Sequence, residues 1–212
     1  MTNEFTRTNF FYYALGFFVG FFLYALAARA ETLRIIQVPG LHAVSDEQVK
    51  EIYAKSSYYF RELGLTFRVK YATKKAGPCE KWHWLQYRGK ELSCFNRHTS
   101  KRKKLITHWM TPPFISLEAP GEPQKAWLAG LAYSCGDVAT GNALEANLET
   151  GEERLNHSAV TLAHEVGHLF CATHQDSSPN LLHSDAMRFV TEYGGILPVL
   201  EATKRQVRRA LR

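Results

Sequence analysis

The chain has 212 residues, 45% hydrophobic and 22% charged, with 26 Lys and Arg against 20 Asp and Glu. Those are globular proportions and exclude wholesale disorder and low-complexity architectures. The net charge of +6 permits an anionic partner without demanding one, and an Asp-rich calcium loop is not expected where four of 20 acids are Asp.

Phe10 to Ala28 carries no charge over 19 residues, Arg7 precedes it, and Ala28-Arg29-Ala30 fits a small-x-small cleavage site. Residues 1–30 are therefore expected to be a secretory signal peptide cut after Ala30. The alternative is an uncleaved anchor, a membrane tether through residues 10–28, because the run is nearly long enough to span a bilayer. Either reading exports residues 31–212 as a single domain, secreted, periplasmic or held outside the cytoplasm by the anchor. The four cysteines, Cys79, Cys94, Cys135 and Cys171, suit that compartment and allow three pairings. Cys79–Cys94 closes a short loop and is favoured, which leaves Cys135–Cys171 by elimination, or two free thiols.

The exported part opens with a β-rich run, Thr32 to Val38, stopped at Pro39-Gly40. Ser45 with Gln48 resembles a capping box. Val49, Ile52, Tyr53, Tyr59, Phe60 and Leu63 then recur at helical spacing until Gly64, a helix of about five turns. Leu65 to Tyr71 alternates as a half-buried strand. A strand–helix–strand unit of this kind makes two parallel strands with a right-handed crossover. Lys74 to Lys104, with Trp82, His83, Trp84 and the run Lys101–Lys104, reads as a disulfide-pinned surface excursion. Leu105 to Met110 and Trp127 to Cys135 read as strands, with Gly130 marking a bulge or a close backbone approach. Ala143 to Leu148 is expected to be a fifth strand. A helix is expected over Leu155 to Cys171, capped by Asn156 or Ser158. The last helix is expected from Pro198 to Arg212, with Val199, Leu200, Thr203, Val207 and Leu211 inward.

The chemistry concentrates in HEVGHLFCATH, residues 164–174. His164 and His168 are four apart, so a helix stacks both imidazoles on one face, where they can share one Zn²⁺. Glu165 is placed to take a proton from a water that the metal activates for attack on a peptide carbonyl. His174 is the natural third ligand. On a continued helix it would lie about 240° round from His168, so the helix must stop near Cys171 and turn back. His83, His98, His108, His157 and His183 are not at ligand spacing.

These residues resemble the metzincin clan of zinc endopeptidases, whose extended motif is HExxHxxGxxH. The resemblance implies an α/β (α+β) fold. Its elements would be a twisted, mostly parallel sheet of about five strands with an antiparallel edge strand, a backing helix, an active-site helix and a C-terminal helix. It implies one catalytic zinc on His164, His168 and His174, and Glu165 as general base. It also implies a cleft-edge strand, Gly130, Leu131, Ala132, Tyr133 and Ser134, that pairs with extended protein or peptide substrate. The chain departs from the family at three places. Cys171 stands where the family has glycine, so either the turn has another shape or a bridge to Cys135 holds it. Leu182 occupies the methionine-turn position, with Met187 the fallback. Gln175, after the third histidine, fits no subfamily, and Ser184 stands where astacin-like members have tyrosine, so no tyrosine ligand is expected.

The alternative reading is a catalytically inactive metzincin-like zinc-binding interaction module that keeps zinc for structure. Cys171 and Leu182 favour it; Glu165 opposes it, because structural zinc needs no such carboxylate. Nucleic acid is not an expected partner, since that reading rests on charge alone.

Overall fold

The computed structural model describes residues 31–38, 44–75, 77, 79, 90–99, 105–111, 114–117, 125–128, 130–142 and 151–212. The chain divides into Met1–Glu31 and Thr32–Arg212; the fold below is that of the second unit. The signal or anchor segment, the Trp82–Trp84 cluster, the Lys101–Lys104 run and the strand expected over Ala143 to Leu148 lie outside the described residues.

Strand β1 (Glu31–Gln37) leads into helix α1 (Asp46–Leu63) and strand β2 (Phe67–Thr73). The capping box is present: Gln48 N–H donates to Ser45 Oγ while the Gln48 side chain accepts from the Ser45 amide. Gly64, at φ 75°, ends the helix in a Schellman closure, with Leu65 N–H donating to the Phe60 carbonyl at 2.8 Å. That closure draws Leu65 into the core, so β2 starts two residues later than its alternation predicts.

Helix α2 (Lys90–His98) follows, then β3 (Leu105–Thr111), the hairpin β4 (Phe114–Leu117) and β5 (Lys125–Leu128), and the short strands β6 (Gly130–Ala132) and β7 (Val138–Asn142). The single strand expected over Trp127 to Cys135 is therefore two strands in different sheets. The main sheet has the order β2-β1-β3-β7-β6. Strand β3 runs parallel to β1 (Ile35↔His108) and to β7 (Trp109↔Thr140), and β6 closes the edge antiparallel to β7 (Leu131↔Thr140). Every residue of β3 is buried, as its central place requires.

One sheet face (Leu33, Ile35, Ile106, Met110) packs under α1 and the long helix α3 (Gly151–Leu169). Ser56 of α1 is fully buried and donates to the Ala159 carbonyl of α3 at 3.0 Å. The other face buries Ile36, Val38, Trp109 and Val138 against Cys79, Leu92, Cys94 and Phe95. Lys74 to Lys104 is thus not a surface excursion in its described part: α2 covers a sheet face, pinned by the Cys79–Cys94 disulfide. Trp109 Nε1 donates to Thr99 Oγ1 at 2.9 Å just past the helix.

Helix α3 starts a turn earlier than expected, with Glu152 and Glu153 in its first turn, where carboxylates suit the helix dipole; Asn156 and Ser158 lie inside it. After α4 (Ala186–Glu192), the last helix, α5, spans Glu201–Ala210, shorter than the reading from Pro198. Thr203 and Val207 face inward, while Leu211 is exposed, beyond the helix end. Lys204 ties α5 to Glu62 of α1 at 2.8 Å.

Candidate metal centre

Helix α3 carries His164 and His168 one turn apart on its cleft face. It stops where the third histidine requires. Cys171 N–H donates to the His168 carbonyl (2.9 Å) and Ala172 N–H to the Gly167 carbonyl (3.2 Å), a second Schellman closure. Its left-handed residue is Cys171, at φ 62°. The chain then doubles back and delivers His174.

The three Nε2 atoms stand 3.0, 3.2 and 3.3 Å from one another. Three nitrogens on a tetrahedral Zn²⁺ at 2.0–2.1 Å would be about 3.3 Å apart. The tautomers agree. His164 Nδ1 lies 2.7 Å from the Leu181 carbonyl and His168 Nδ1 2.7 Å from the Ala172 carbonyl. A carbonyl only accepts, so both Nδ1 atoms carry the proton and both Nε2 lone pairs face the shared point. Burial holds both rings neutral, pushing His164 down to about 3 and His168 below the usual range. The residues fit a zinc ion.

Glu165 is 6% exposed, and burial pushes its carboxyl up to about 8. It faces Gly130 so closely that a Cβ there would lie 2.6 Å from Glu165 Oε1. The close approach expected at Gly130 is thus between the edge strand and this carboxylate. The cleft, about 310 Å³, is lined by Gly130, Leu131 and Ala132 of β6, by Thr161, Glu165 and the triad, and by Ser184 to Arg188. Strand β6 ends at Ala132, so Tyr133 and Ser134 fall outside the expected cleft edge. They lie in a turn, and the Tyr133 hydroxyl meets Ser93 of α2 at 2.7 Å.

Leu182 is fully buried and packs on α3 at Gly167, where a Cβ would come within 3.3 Å of it. Met187 lines the cleft instead, its sulfur accepting from Thr161 Oγ1 at 3.2 Å. The sequence reading missed Asn180. It is fully buried, its amide donates to the Gln175 and Ser178 carbonyls at 2.6 Å, and its Oδ1 accepts from Leu182 N–H. It thereby fastens the His174 loop to the Leu182 turn. A lone Asn in a Ser-Pro-Asn loop gives no local sign of that task.

The Cys135–Cys171 disulfide is also present, with Cα atoms 4.4 Å apart. A second cluster, Cys79, Cys94 and His98, has metal-ligand spacing, but its sulfurs are joined to each other.

No protein-family model and no curated protein matches the sequence. Solved structures match its fold. Archaemetzincin from Methanopyrus kandleri superposes with a TM-score of 0.63 at 19% identity, over 86% of this chain and 96% of that one. The chain has an archaemetzincin-like fold. Archaemetzincin from Archaeoglobus fulgidus gives 0.54 at 15% identity, over 82% of this chain and 99% of that one.

Proposed function

We propose that this protein is an exported zinc-dependent endopeptidase with Glu165 as its general base. The convergence of three Nε2 atoms beside a buried glutamate carries the reading. The archaemetzincin-like fold and the HEVGHLFCATH motif support it. His164, His168 and His174 would hold the ion, which supplies Lewis-acid polarisation of the scissile carbonyl and activates water for attack. Glu165, which the positive charge of a bound ion in the same cleft would favour in its ionised form, takes the proton of the attacking water and passes it to the leaving amine. Strand β6, outermost in the main sheet among the described residues, would offer its edge to extended substrate, and the walls around Thr161 and Met187 would receive a side chain. The two disulfides accord with an oxidising compartment.

Metal analysis of the purified protein paired with a peptide-library assay tests the proposal. Wild type is expected to hold one zinc and cleave. Glu165→Gln is expected to keep zinc and fold but lose at least 100-fold in rate, the lower end of about 10²–10⁴ for a general base. Zinc without cleavage by wild type would move the assignment to the non-catalytic module.

A further inference from the structure

We infer that the Cys135–Cys171 disulfide is the positioning device for His174, and that its redox state sets how tightly the triad holds zinc. The inference rests on reading the triad as a zinc site.

Both cysteines stand where glycine is customary. Cys171 is the left-handed residue of the helix-ending closure, and Cys135 is third in the turn from Tyr133 to Gly136; their φ values are 62° and 57°. An L-residue resists that conformation because its Cβ crowds the following carbonyl. Two such residues persist side by side because each is held twice. Their sulfurs are joined, and both amides donate to the same acceptor, the His168 carbonyl, each at 2.9 Å. The bridge therefore ties the turn after β6 to the end of the metal helix. Without it, Cys171 relaxes towards negative φ, and that rotation carries the next residues, Ala172 to His174, away from His164 and His168.

The two bridges differ in access. Cys79 and Cys94 are 0% and 4% exposed, whereas Cys135 is exposed and Cys171 partly so. A soluble dithiol reaches the second bridge first. Its thiolate attacks one sulfur, its second thiol closes the reductant to its own disulfide, and two electrons pass to the protein. Cys135 and Cys171 each end as a thiol carrying one proton.

The test measures zinc affinity of the purified protein by competition with a chromophoric chelator, oxidised and after mild dithiol treatment, with alkylation mapped by mass spectrometry. Reduction is expected to expose Cys135 and Cys171 alone and to weaken zinc binding about five- to thirtyfold. Cys135→Ala/Cys171→Ala should match the reduced protein. Cys135→Ala/Cys171→Gly should recover most of the affinity without a cross-link. A bridge that merely stabilised the fold would leave the Gly and Ala variants equally weak. That result would overturn the inference, as would zinc held as tightly after reduction as before. Oxidised wild type that holds no zinc would instead overturn the zinc reading itself, and the inference with it.

Discussion

Gly130 and Glu165 show how finely single residues set this cleft. The edge strand passes so near the carboxylate that a methyl group on Gly130 would sit 2.6 Å from its Cγ and Oε1, closer than real contacts allow. Glu165 is buried on a helix packed on both sides and has little room to retreat. Overpacking of this kind costs about 1–3 kcal/mol. Gly130→Ala is therefore expected to lower kcat about tenfold or more while zinc content stays at the wild-type level. Elemental analysis beside steady-state kinetics checks it, and unchanged kcat would show that the carboxylate tolerates displacement. An isolated glycine in a strand pattern announces such an approach in the sequence, though not what approaches. Asn180 and Thr161 announce nothing, because their partners lie on other segments.

At the scale of elements, signals local to the sequence were legible. The Ser45–Gln48 box and the Gly64 stop frame α1 as read, since each is a bond between residues a few positions apart. Ser45→Ala leaves an orphan amide in the first turn and is expected to cost about 1 kcal/mol of unfolding free energy with zinc binding unchanged. Denaturant unfolding with and without the substitution measures it, and no change would mean that the Gln48 arm alone suffices. Strand β7 was not legible. Its Val138–Asn142 run carries Gly141, which no strand propensity favours, and the reason for that glycine is tertiary. A Cβ there would meet His108 Cε1 and Thr161 Cγ2 at 2.8 Å. The start of α3 was missed because its first turn is polar, and an apolar period begins only a turn later.

For the whole molecule, the sheet separates two unequal cores, and His108 sits fully buried in the larger one, on the face it shares with Ile106 and Met110. The sequence marked it as an ordinary histidine off the ligand pattern. The fold places it at the centre of the sheet, and among the described residues neither ring nitrogen has a hydrogen-bond partner. Burial pushes its pKa down to about 3 from 6.5. The unfolded chain therefore binds a proton at this residue as pH falls through about 6.5, while the folded chain does not until about 3. Between those values the unfolded state holds more protons, so stability falls as pH falls, and the contribution is fully present only above about 6.5. The loss amounts to several kcal/mol in order of magnitude. His164 and His168 titrate in the same direction when metal-free, so the comparison must isolate His108. His108→Leu replaces the ring with an apolar side chain of similar bulk and removes two unpaired buried nitrogens. In the same metal state, its unfolding free energy is expected to equal or exceed that of wild type at pH 7. It should then decline less steeply between pH 6.5 and 4.5. Urea unfolding at pH 7, 5.5 and 4.5 measures both slopes, and parallel curves would show that His108 is not the residue through which acid destabilises the fold.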